Sequence, residues 1–151
     1  MSKKKVILIA VLLAIAAGAI YAYREYHRTN VNLDTVQADY TLQATDLANE
    51  FVANDSVADS KYRNKILAVQ GVVKAVDRSE GDCTIVLGDT TDMAPSVRCI
   101  LDSTHTALGA AFKRGDKVVV KGAITGFKKD ETGLLGSDVE LNRCVVDKDK
   151  N

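Results

Sequence analysis

The chain of 151 residues has no tryptophan, one proline, two histidines and three cysteines, and its aromatic residues amount to 5%. Each shortage removes a class of function. Cysteines at positions 83, 99 and 144 make no CxxC-type ligand pair, so a zinc site is not written here. The first of them lies far from the N-terminal apolar run, which leaves no thiol there to accept lipid and excludes a lipoprotein. The histidines are His27 and His105, and no serine stands in a nucleophile-elbow setting. His105 follows Asp102 and Ser103 closely, but adjacent residues at a helix start read as caps before they read as a triad. The pairs Gly122 with Gly126 and Gly133 with Gly136 lack the strand, glycine loop and helix of a phosphate cradle. The carboxylates are scattered over turns. We therefore expect no catalytic residue, no cofactor and no metal, and read the chain as a non-enzyme.

What the chain does have is 18 uncharged, mostly aliphatic residues from Val6 to Tyr23, behind Lys3, Lys4 and Lys5. As a helix the run reaches about 27 Å, close to the roughly 30 Å of a bilayer's hydrocarbon core. Tyr21 and Tyr23 fall at its outer end, where amphipathic rings favour the interface. Three lysines before the run, against Arg24 and Arg28 offset by Glu25 after it, place the N-terminus in the cytoplasm and the rest outside, periplasmic or extracellular. The competing reading is a signal peptide cleaved near Ala19, since Ala17, Gly18 and Ala19 offer a small-x-small site and the mature chain would start at Ile20. The apolar residues run on to Tyr23, beyond the usual signal core, so an uncleaved single-pass anchor is preferred. The whole chain balances 20 basic against 20 acidic residues; beyond the run 17 basic face 20 acidic, a net −3. The expected organisation is a basic tail at 1–5, an anchor at 6–23, a tether at 24–38, one domain at 39–147 and a polar tail at 148–151.

Order is expected from about Tyr40. Thr45 and Asp46 offer an N-cap, and Ala44, Leu47, Ala48, Phe51 and Val52 recur at helical spacing. Asn54, Asp55 and Ser56 cap or interrupt, with Val57, Ala58 and Tyr62 extending the face. From Lys65 the period becomes two. The first strand is Ile66 to Val76, with Gly71 marking a bulge or bend. Asp77 to Asp82 turns, Cys83 to Leu87 is the second strand and Ser96 to Leu101 the third. A short helix opens at Asp102, Ser103 and Thr104 and runs through Phe112. Lys117 to Ile124 is the fourth strand and Asp138 to Val145 the fifth.

Three strands, a helix and two strands, the first strand long and bent, is the order of the OB-fold, a five-stranded Greek-key barrel. Closure suits short strands that would otherwise leave open edges. The residues also resemble the tRNA-anticodon-like OB-fold family of bacteria, exported or membrane-anchored proteins. The resemblance covers about residues 40 to 146. It rests on Asn54 with Ala58, Lys61, Tyr62 and Lys65, on Val69 to Val73, on Val97-Arg98-Cys99, on Lys113 to Gly122, and on Val139 to Cys144. Asn64 stands where the family tends to glycine, and Asn tolerates a left-handed backbone. Cys83 is an addition. The resemblance implies a fold and an envelope address, and no activity; function has to come from the site.

Many OB-folds bind single strands through a basic groove and aromatic platforms on strands two and three. Strands two and three here hold no aromatic residue, and Tyr62 and Phe112 sit at helical apolar positions. Lys128 and Lys129 adjoin Asp130 and Glu131, and Lys113 and Arg114 adjoin Asp116, the pattern of solvated turns. The preferred reading is a membrane-anchored binding module for a protein or envelope component, with nucleic acid disfavoured. The alternative is a binder of single-stranded nucleic acid or oligosaccharide, using the outer face of strands two and three with the loops at 77–82 and 126–137. Arg98, Lys121, Lys128 and Lys129 are the ligand-face candidates. Exported thiols within reach of each other pair. Strands three and five are neighbours in this barrel, so Cys99 with Cys144 is the disulfide candidate, leaving Cys83 free; three reduced cysteines acting as small hydrophobes are the alternative.

Overall fold

A computed structural model describes residues 3–26, 33–79, 81–132 and 136–147. His27, Arg28 and the tail at 148–151 lie outside the described residues. The chain forms two units, Met1–Asn32 and Leu33–Asn151. The first carries helix α1, Lys3–Tyr26, with no acid in its first turn and Arg24 in its last. Its stretch Lys5–Arg24 is long and apolar enough to cross a membrane.

The second unit is a closed barrel. Its strands are β1 (Tyr40–Gln43), β2 (Ile66–Ser79), β3 (Asp82–Gly88), β4 (Ser96–Leu101), β5 (Lys117–Lys128) and β6 (Asp138–Val146). Their order is β1-β2-β3-β4-β6-β5, and β2 pairs with β5 to close the ring. This is the OB-fold, with the expected five strands as β2 to β6. Strand β2 serves two neighbours in succession: Ile66 to Val72 pair with β5 and Val73 to Ser79 with β3. Gly71 sits at that handover. A Cβ there would lie 2.9 Å from the Ala44 Cβ, so glycine is what lets the helix after β1 start against the strand.

Strand β1 is an addition to the expected set, pairing parallel with Leu67 to Gln70. Four residues are too few for a period to show. It leads without a loop into α2 (Ala44–Ala53), whose N-cap is Gln43 with no side-chain cap bond, not the expected Thr45 and Asp46. Asp46 lies in the first turn instead, where a carboxylate favours the helix dipole. Helix α2 touches β1, β2, β3, β4 and β6. With Ala44, Leu47, Ala48 and Phe51 all buried, it closes an end of the barrel rather than covering one side of a sheet.

Asn54 caps α3 (Asp55–Tyr62), its side chain accepting from Val57 N. The break at Asn54 restarts the helical phase, so Ala58 and Tyr62 face inward while Val52 and Val57 stay exposed, contrary to the expected single face. Tyr62 is fully buried, edge-on to Tyr40 and stacked on Phe51, with its hydroxyl donating to Glu50 at 2.8 Å. Asn64 takes φ 62, the left-handed position read from the sequence. The helix between β4 and β5 shrinks to one turn, α4 (Thr106–Gly109). Phe112, past its end, packs against the core from a turn.

The core is the barrel interior. Leu67, Val69, Val73, Ile85, Leu87, Val97, Val120, Val139 and Leu141 are each fully buried. These are alternate positions along their strands, as a two-residue period requires.

The globular unit begins at Leu33, earlier than Tyr40, and Leu33 is buried. Asp39 N donates to Ile66 O at 2.7 Å and Ile66 N to the Asp39 carboxylate at 2.8 Å. Lys121 Nζ donates to the Asp34 and Val36 carbonyls at 3.1 and 3.5 Å. Residues 33–39 thus form a strap fastened along β2 and β5.

Candidate functional site

Alternation fixes what the barrel shows outside. Cys83, Ile85, Leu87, Val97, Cys99 and Leu101 belong to the core, so β3 and β4 present Thr84, Val86, Arg98 and Ile100 outward. Val86 lies opposite Arg98, and Arg98 opposite Glu140 on β6. Asp138 faces Lys128 across β6 and β5. Arg98 Nη1 is 3.9 Å from the Asp138 carboxylate, Lys128 Nζ is 2.8 Å from that of Glu140, and Ser96 Oγ donates to Asp138. Two of the four ligand-face candidates, Arg98 and Lys128, therefore flank β6 on one outer face, each beside a carboxylate of that strand. Lys121 is not with them, since its amine holds the strap. Lys129 lies exposed just past the end of β5.

Two shallow clefts adjoin Gly71 and Val72. They exist because β2 pairs with β1 only as far as Gln70 and with β3 only from Val73, leaving an open length of edge. One cleft, of ≈ 380 Å³, runs past Gln43 and Thr45 to Gly88 and Asp89. The other, of ≈ 350 Å³, runs past Gln70 to Lys117 and Val119.

A third cavity, of ≈ 370 Å³, is lined by Asp34, Thr104, His105, Leu108, Lys121, Val146 and Asp147. His105 is 8% exposed and stands at the N-cap of α4, but its ring makes no cap bond there. Its Nε2 lies 3.1 Å from Asp34 Oδ2 and its Nδ1 accepts from Val146 N at 3.4 Å. A proton donated by Val146 to Nδ1 leaves Nε2 as the protonated nitrogen that meets the carboxylate. Both nitrogens are thus engaged, and the histidine ties the strap to β6. Asp102 serves a separate turn, accepting from Thr104 N at 3.1 Å and Thr104 Oγ1 at 2.9 Å. The Ser103 and Thr104 hydroxyls both donate to Asp102, at 3.5 and 2.9 Å. Among the described residues, no group of three or more His, Cys, Asp or Glu could hold a metal. Sequence reasoning missed Asp34 because it lies in the segment read as tether.

Cys83, Cys99 and Cys144 are buried free thiols. Burial, reinforced by a hydrogen bond with Cys99, pushes the Cys144 thiol well up. Burial also raises Cys83, against the pull of Arg78.

The model of the tRNA_anti-like family matches residues 1–137. No curated protein sequence matches the chain. Among solved structures, a candidate nucleic acid-binding lipoprotein from Klebsiella pneumoniae subsp. pneumoniae is similar at 18% identity and a TM-score of 0.55, over 71% of this chain and 91% of that one. Asparaginyl-tRNA synthetase from Pyrococcus horikoshii is similar at 16% identity and a TM-score of 0.40; the match covers 57% of this chain and 20% of the enzyme. At these identities the first likeness is one of fold.

Proposed function

The chain belongs to the tRNA_anti-like family, and from that premise we propose a non-enzymatic OB-fold binding module, anchored by α1 with the barrel outside the cytoplasmic membrane, whose ligand is a protein or another envelope component. One observation carries the choice of ligand: the bases of the outer barrel face stand beside acids, Arg98 with Asp138 and Lys128 with Glu140, and β3 and β4 offer no ring to stack on. A phosphate backbone needs unpaired cations in a row, and splayed bases need aromatic platforms. A face of interleaved charge around the half-buried Ile100 suits the mixed surface of a protein. The length and apolar character of Lys5–Arg24 support the anchor.

Titration of a labelled single-stranded oligonucleotide at low salt is the most permissive test, because counterion release favours any electrostatic binding there. We expect no saturable binding below micromolar concentrations. Sub-micromolar affinity that falls steeply with salt overturns the choice of ligand. In a pull-down from envelope extract, Arg98→Gln, which removes the charge without setting a third acid beside Asp138 and Glu140, should lose the captured partner while leaving the unfolding midpoint near that of the parent.

A further inference from the structure

We propose that Cys99 and Cys144 are a disulfide site, linked when the chain meets an oxidant, while Cys83 stays a thiol. Three observations place the two sulfurs together. First, β4 and β6 are parallel neighbours, with Cys99 opposite Leu141. Second, the register shifts before the next pair, Leu101 with Cys144, so β6 spends one residue more than β4. Arg143, at φ 51, is the residue that bends at this shift. A bulge reverses which side of the sheet the following residue faces. Without it Arg143 would point inward; with it Cys144 does, into the interior that holds Cys99. Third, a Cβ on Gly122 would lie 2.5 Å from the Cys144 Sγ, so β5 leaves room for that sulfur. Cys99 is also among the groups that raise the Cys144 thiol, after burial itself. Cys83 lies against a different element, its sulfur 3.3 Å from where a Gly109 Cβ would stand.

The reaction is a thiol–disulfide exchange. A Cys99 or Cys144 thiolate attacks one sulfur of an external disulfide and expels a thiolate; the second cysteine then attacks the mixed disulfide and expels the other. The protein gives up two thiol protons and two electrons and gains one S–S bond, and the oxidant becomes two thiols. Because both sulfurs are buried out of an oxidant's reach, the attack belongs to a folding chain or to local opening of the β4–β6 pair. The source of oxidant in the cell rests on the exported placement proposed above; the chemistry of the pair does not.

The test uses the full chain in detergent micelles, reduced and then incubated with oxidised glutathione. Alkylation after denaturation, followed by peptide mapping, should find Cys99 linked to Cys144 and one labelled thiol at Cys83. The unfolding midpoint should rise by roughly 10 °C over the reduced protein and return on adding reductant. Cys83→Ser should keep both the link and the rise, and Cys144→Ser should lose both. A bridge that includes Cys83, or three labelled thiols after oxidation, overturns the proposal. Trapping thiols during isolation from cells separates the two readings. Linkage in cells supports both, whereas linkage only in vitro supports the pair and overturns the exported placement.

Discussion

Three aspartates carry much of the order in the loops, and each does so by the same device. Asp89, Asp102 and Asp130 each accept from the backbone N–H and the hydroxyl of a threonine two residues on, Thr91, Thr104 and Thr132. The side chain imitates a backbone turn and spares the loop an unpaired N–H. In Asp102 the bonds from the Thr104 backbone and hydroxyl hold the carboxyl below its ordinary value, and in Asp89 those from Thr91 do the same. A carboxylate whose folded value is lowered adds stability above its unfolded value, and that stability is lost as pH falls through the folded one. Asp102→Ala should therefore cost about 1 kcal/mol at neutral pH. Its gap from the parent should narrow as pH falls below the ordinary carboxylate value and on through the lowered folded one. Unfolding midpoints across that range decide it, and a gap of constant size would reject the account. Gly122 sets a second test at this scale. Gly122→Ala drives a methyl into the Cys144 sulfur and should cost about 1–3 kcal/mol. Adding Cys144→Ala should recover part of that loss, so the two changes should be strongly non-additive in denaturant titrations.

Among the elements, the strap at residues 33–39 depends most on distant partners. Leu33→Ala should lower stability by about 2–3 kcal/mol. It should also speed amide exchange at Asp39 and Ile66 ahead of the barrel core, which hydrogen exchange would register. If Asp39 and Ile66 exchange no faster than in the parent, the strap is not a separate unit. Its contacts explain why it was illegible in the sequence. His105 and Asp34 lie 71 positions apart, and no local period links them. The barrel strands were readable because each buries alternate residues: Ser96 to Leu101 emerged with its observed ends, and β5 only ran longer than Lys117 to Ile124. Strand β1 is too short to leave a pattern, whereas the helix between β4 and β5 was legible and differs only in shrinking to one turn. For the outer face, composition could nominate Arg98 and Lys128. It could not find the carboxylates beside them, because register shifts in β5 and β6 set which residues face each other.

For the molecule as a whole, the fate of α1 is the first thing to measure. A C-terminally tagged chain recovered from the membrane fraction should have a mass that includes Val6 to Tyr23, and it should leave the membrane only with detergent. A mature chain starting at Ile20 would remove the anchor.

The place of β6 in the sheet has a consequence for how the protein comes into being. Strand β6, made after the other described strands, lies between β4 and β5, and among the described elements nothing else joins those two. Until β6 has been made, β4 and β5 each keep an open edge, and Leu101 and Val120 lack their partners across it. The barrel therefore cannot close strand by strand as it emerges. It must wait, with the other described strands already made and adhesive, for β6, and that interval is when a chaperone has the most to cover.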